Sequence, residues 1–155
     1  MKVDPHKIIE DILNDGYCIT KIAYGDSMMP TIPSGAVLNI CPVVTKQIRR
    51  GDIVLFKTIS GKTLIHRVSR KLKRKNDLFI QTWADNSLGP DLPVSGHNVI
   101  GLVISFKVGN KWEQIKRGLP CYLYHFIKRY GLYYSKRLYH KALQFFTDSI
   151  LCNLN

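Results

Sequence analysis

The spacing of apolar positions along this chain changes twice. Over residues 3–14, Val3, Ile8, Ile9, Ile12 and Leu13 recur at the three- and four-residue intervals of one helix face. Asp4 followed by Pro5 provides an N-cap with proline in the first turn, and Gly16 provides the stop. From residue 19 to 106 the apolar pattern shortens to β-rich runs over 22–24, 36–42, 52–58, 63–69, 78–83 and 99–107. Turn signals separate them: Pro33-Ser34-Gly35, Arg50-Gly51-Asp52, Ser60-Gly61-Lys62 and Leu88-Gly89-Pro90. Strands this short and evenly spaced predict a mainly β domain whose antiparallel sheet coils or partly closes, because such a sheet must protect its edges. Beyond Gly118 and Pro120, Tyr122, Phe126, Tyr130, Tyr134, Leu138, Ala142 and Phe145 return to helical spacing. The expected organisation is an N-terminal helix within 1–18, a β domain over 19–107 and a basic, aromatic helical extension over 108–155.

Composition narrows the class without naming a function. A chain of 155 residues with 45% apolar and 22% charged residues is an ordinary globular composition, which excludes wholesale disorder, a collagen and a disulfide-packed miniprotein. The charge is less ordinary: 23 Lys and Arg against 11 Asp and Glu give a formal +12. From Lys107 onward nine basic residues face two acidic ones, so +7 of that charge belongs to the last third. Such a balance favours anionic partners, among them an anionic membrane surface met by the C-terminal segment. Arg70, Lys71, Lys73, Arg74 and Lys75 would suit nucleic acid, but a run of this kind reads first as the solvated end of a hairpin. Cys18, Cys41, Cys121 and Cys152 form no C-x-x-C pair, and are expected to be reduced thiols in a cytoplasmic setting. No signal-peptide pattern and no apolar stretch of the ~20 residues needed to cross a bilayer is found.

The chemistry concentrates in Gly25-Asp26-Ser27-Met28-Met29-Pro30-Thr31-Ile32. A serine beside a glycine is by itself a turn residue. Further on, Leu64-Ile65-His66-Arg67-Val68 puts a histidine in a strand-like run, on the face shared by Leu64 and Val68. Ala84-Asp85-Asn86-Ser87 and then Asp91 supply carboxylates in a loop. A serine hydroxyl needs a base to take its proton as it attacks a carbonyl, and histidine, with an ordinary pKa of about 6.5, is neutral often enough to serve. His97, His125 and His140 have no partner spacing that implies a metal, and no cofactor is expected.

These residues, in this order, resemble the type I signal peptidases, in the endoplasmic-reticulum and archaeal branch that uses Ser-His in place of Ser-Lys. The resemblance runs from about residue 24 to 106. It rests on Gly25 to Ile32 as the nucleophile box, Gly51-Asp52-Ile53-Val54 as a structural strand start, Ile65-His66-Arg67-Val68 as the box of the base, and Ala84-Asp85-Asn86 with Asp91. It implies a serine endopeptidase of the signal-peptidase and LexA-like clan, with a fold to match, that cleaves a leader or signal-like segment from a polypeptide substrate. Ser27 would be the nucleophile and His66 the base, with Asp91 the first candidate and Asp85 the second to orient the imidazole. Gly25, Met28 and Met29 would border the oxyanion site and substrate groove, and shallow pockets would accept small side chains beside the scissile bond. Two features depart from the signal-peptidase pattern. Gly25 stands where that family carries a serine, in the form common to LexA-type and phage-repressor peptidases, which use lysine at the position of His66. No membrane anchor of the signal-peptidase kind is expected from the sequence either. A self-cleaving repressor-like protein and a non-catalytic basic β module that binds nucleic acid are the alternatives, the first made less expected by the roughly twenty residues before the β region.

Overall fold

The computed structural model describes residues 5–115, apart from Asn76 and Leu88. Helix α1 spans Pro5–Asn14 and is followed by β1 (Ile19–Ile22), β2 (Val37–Cys41), β3 (Ile53–Lys57), β4 (Thr63–Arg74), β5 (Asp77–Trp83), β6 (Val94–Ser95), β7 (Val99–Val108) and β8 (Lys111–Gln114). The strands form one antiparallel sheet in the order β1-β2-β7-β3-β4-β5-β6, with β8 also paired to β7. Register shifts between Asn39 and Ile40, between Leu55 and Phe56 and between Val68 and Arg70 add local twist, and the sheet curls into a half-barrel.

Burial explains the strand order. Ile53, Val54, Leu55 and Phe56 in β3 are all at most 1% exposed, so β3 must lie inside the sheet with both faces covered. Ile53 and Leu55 join Leu13, Ile32, Leu38, Ile40 and Val103 in one cluster. Val54 and Phe56 join Ile48, Val68, Ile80, Val94 and Leu102 in the other. Helix α1 ends as the sequence predicts: Gly16 adopts φ +91°, and the N–H groups of Gly16 and Tyr17 return to the carbonyls of Leu13 and Ile12. Gly101 of β7 is needed for closeness, since a Cβ there would lie 2.8 Å from Ile40 Cγ2 and 3.3 Å from Leu13 Cδ1.

Two expectations change and one holds. The basic run is the largely exposed end of the β4 and β5 hairpin, as expected, its ladder continuing to Arg74 opposite Asp77. It does not wave freely: Lys71 Nζ donates to the carbonyls of Lys46 and Ile48, and Arg70 Nε donates to Gln81 Oε1. The β region also passes residue 107, since β8 pairs back onto β7; the expected C-terminal helix, with Cys121 and Cys152, lies outside the described residues. Cys18 and Cys41, expected to be reduced, form a disulfide. Pairing of Ile19 with Ile40 places the next residues, Cys18 and Cys41, opposite one another with Cα atoms 4.2 Å apart. The step from reduced thiols to a cytoplasmic setting therefore does not hold for this pair. Among the described residues no helix is long and apolar enough to cross a membrane.

Candidate active site

Ser27 lies in the connection between β1 and β2, where Gly25 takes φ +82° and the chain then winds through a turn closed by Met29 N–H to Asp26 O and Ile32 N–H to Met28 O. Positive φ at Gly25 suits the residue that has no Cβ. Met28 is 5% exposed and anchors the turn in the core, whereas Met29 stands outward. Among the described residues neither the hydroxyl nor the N–H of Ser27 makes a hydrogen bond, and only its carbonyl is engaged, by Asn86 N–H at 2.8 Å.

His66 sits in β4 opposite Val54 of β3, which fixes it on the face of Val54 and Phe56. Its ring lies 6.0 Å from that of Phe56, and the residue is buried. Nδ1 is 2.8 Å from Asp91 Oδ2. Thr82 Oγ1 donates to the same oxygen at 2.6 Å, Gln81 Nε2 donates to the Asp91 carbonyl, and Asp91 N–H donates to Thr82 O. Burial alone would raise the pKa of Asp91, but the hydrogen bonds from His66 and Thr82 and the charge of His66 outweigh it and hold the carboxyl below its ordinary value. An ionised Asp91 accepts, so Nδ1 is the donor, and in the neutral form of an imidazole held this way Nε2 is the nitrogen with the lone pair. Ser27 and His66 line one cavity of about 220 Å³, together with Gly25, Met28, Ile32 and Leu38. No hydrogen bond joins the two among the described residues.

Asp85 is placed elsewhere. It receives Arg67 Nε at 2.9 Å and Arg67 Nη2 at 2.8 Å in a two-pronged pair whose side chains are each 4% exposed. Thr31 Oγ1 donates to Asp85 Oδ2 at 2.6 Å, and Arg67 Nη1 donates to Gly51 O at 2.9 Å. Asp85 therefore ties the serine loop and the start of β3 to β4 and leaves His66 to Asp91. In the sequence Arg67 and Thr31 stand only as members of motifs, and neither Thr82 nor Gln81 belongs to one. Nothing in local sequence marks Thr82 as a partner of Asp91, because the contact depends on the loop after β5 folding back on that strand. Among the described residues no group of three His, Cys, Asp or Glu could hold a metal ion.

The arrangement sets a hydroxyl and an imidazole on one cavity with a carboxylate behind the ring, residue types that nucleophilic hydrolysis can use. No curated protein and no solved structure matches the chain. A family model does, the one described as peptidase S24-like, over residues 6–104. That span covers well over half the chain and contains Ser27, His66 and Asp91, and the chain accordingly belongs to the peptidase S24-like family, in the clan of LexA-like domains.

Proposed function

We propose that this chain is a serine endopeptidase of the signal-peptidase type that cleaves a leader or signal-like segment from another polypeptide. The observation that carries the reading is the hydrogen bond from His66 Nδ1 to Asp91 Oδ2 behind a cavity shared with Ser27. In the proposed reaction Ser27 Oγ attacks the scissile carbonyl while its proton passes to His66 Nε2. Asp91 stabilises the imidazolium, and the backbone N–H of Ser27 donates to the oxyanion. The C–N bond breaks as Nε2 returns the proton to the leaving amine. Water then hydrolyses the acyl-enzyme by the same exchange and restores Ser27.

The test compares wild type with Ser27→Ala on a pool of leader-bearing polypeptides, reading newly formed N-termini by mass spectrometry. New termini that require Ser27 are expected. The same termini with Ser27→Ala would overturn the reading. The family also fits a LexA-like self-cleaving regulator. If the chain's own fragments were the sole product, formed at a rate independent of protein concentration, that second reading would replace the first.

A further inference from the structure

The cavity beside Ser27 is larger than an alanine side chain requires. Its volume is about 220 Å³. Dry apolar cavities of roughly 150 Å³ already accept a benzene ring. Its lining is mostly apolar and comes from four parts of the chain: Ile22 and Ala23 at the end of β1, Met28 and Ile32 in the serine loop, Leu38 of β2 and Ile65 of β4. Met28, Ile32 and Leu38 are at most 5% exposed, so this part of the wall is backed by the core rather than by solvent. Lys21 is the one permanently charged residue of the lining among the described residues.

We propose that this cavity is a specificity pocket for a bulky, uncharged, apolar side chain, branched aliphatic or aromatic, on the acyl side of the scissile bond. The inference rests on the serine-peptidase reading and departs from the small-residue preference that the sequence resemblance implies. Physical reasoning favours the acyl side: that residue remains bonded to Ser27 through the acyl-enzyme, so a pocket continuous with Ser27 holds it through both halves of the reaction. A methyl group would leave most of the cavity without packing partners, whereas a leucine or phenylalanine side chain fills it and removes more apolar surface from water. Each added methylene in an apolar pocket is worth about tenfold or more in kcat/KM.

The experiment uses the full chain and a pool of unstructured peptides randomised at their central positions, with cut sites read on both sides of the bond. Leucine, isoleucine, methionine or phenylalanine on the acyl side should exceed alanine by at least about tenfold in kcat/KM. Ala23→Phe, which narrows the pocket, should reverse that order and raise the relative use of alanine. If Ala23→Phe does not fold, Ala23→Leu, a smaller filling of the same wall, should lower the leucine-to-alanine ratio several-fold, and an unchanged ratio would overturn the pocket. Alanine equal to or better than leucine in the wild type, an acidic preference, or selection only on the leaving side would each overturn the pocket while sparing the peptidase reading. Cleavage of no peptide would overturn that reading and the pocket with it.

Discussion

His66 and Arg67 are neighbours on one strand, and each takes a carboxylate from the stretch after β5, yet the two pairs do different work. His66 lies opposite Val54 and meets Asp91, whose side chain is 26% exposed, at the wall of an open cavity. Arg67 lies opposite Ile53 and meets Asp85 with both side chains 4% exposed. Successive residues of a strand face opposite sides, so one step in sequence separates a pair at the cavity from a pair sealed in the structure. Arginine carries a permanent charge, and Arg67 offers a planar fork that both oxygens of Asp85 fill. Histidine can gain and lose a proton, and Asp91 holds its ring with one nitrogen left over. A buried ion pair contributes geometry more surely than stability, and here the geometry is the position of the serine loop.

Substitutions should separate the two pairs. The largest effect is expected at the proposed reacting groups: Ser27→Ala and His66→Ala should each lower kcat by roughly 10⁶; the midpoint of thermal unfolding should stay close to wild type for Ser27→Ala and fall for His66→Ala, which removes a buried ring and the partner of Asp91. The double variant should be no worse than either single one, because the two act as a unit. A double loss equal to the product of the single losses would break that link. Asp91→Asn comes next, with kcat falling by about 10⁴ through loss of the correct tautomer.

Arg67→Ala and Asp85→Ala should behave in the opposite way. Each removes one half of a buried ion pair and should cost about 3–5 kcal/mol of unfolding free energy in denaturant titrations. Activity should fall only as the serine loop loosens or the protein unfolds. Arg67→Lys should not restore stability, since an ammonium cannot make the two-pronged contact. A large, well-packed apolar pair at both positions should be less costly than either single loss. If Arg67→Ala left stability intact, the contrast between the pairs would collapse.

The smallest effect should appear in the pH dependence of stability. Asp91 has a folded pKa below its ordinary 3.8, so its pair stabilises the fold in full above that value. The contribution is lost as pH falls through the lower folded value. The stability difference between wild type and Asp91→Asn should accordingly be constant near neutrality and shrink at acid pH in denaturant titrations. A difference that grows with acid would mean that the carboxyl is not held ionised by His66 and Thr82.

Much of the fold is legible along the chain because its causes are local. The i, i+3, i+4 pattern before Gly16 marks α1, and alternation bounded by Gly and Pro marks β2, β3 and β5 to within a residue or so of their observed ends. β6 and β8 escaped: two residues are too few to show a period, and Lys111–Gln114 is exposed throughout, so neither strand has an apolar face to advertise. The disulfide escaped as well, because 23 residues separate Cys18 from Cys41 and only the β1 and β2 register brings them together.

By itself the sequence determined the residue types that matter, Ser27 in a glycine-bearing turn, His66 in a strand and two carboxylates after β5, and it narrowed the partner of His66 to Asp91 or Asp85. Tertiary structure decided between the two. The β3 and β4 register turns His66 and Arg67 to opposite faces, and the loop after β5 returns Asp91 to Thr82 while leaving Asp85 beside Thr31. The cavity was likewise decided in space, since Ala23, Ile32, Leu38 and Ile65 line it from separate parts of the chain. Residue chemistry is carried one position at a time, but a pairing or a volume depends on how several distant segments pack, and no single segment contains it.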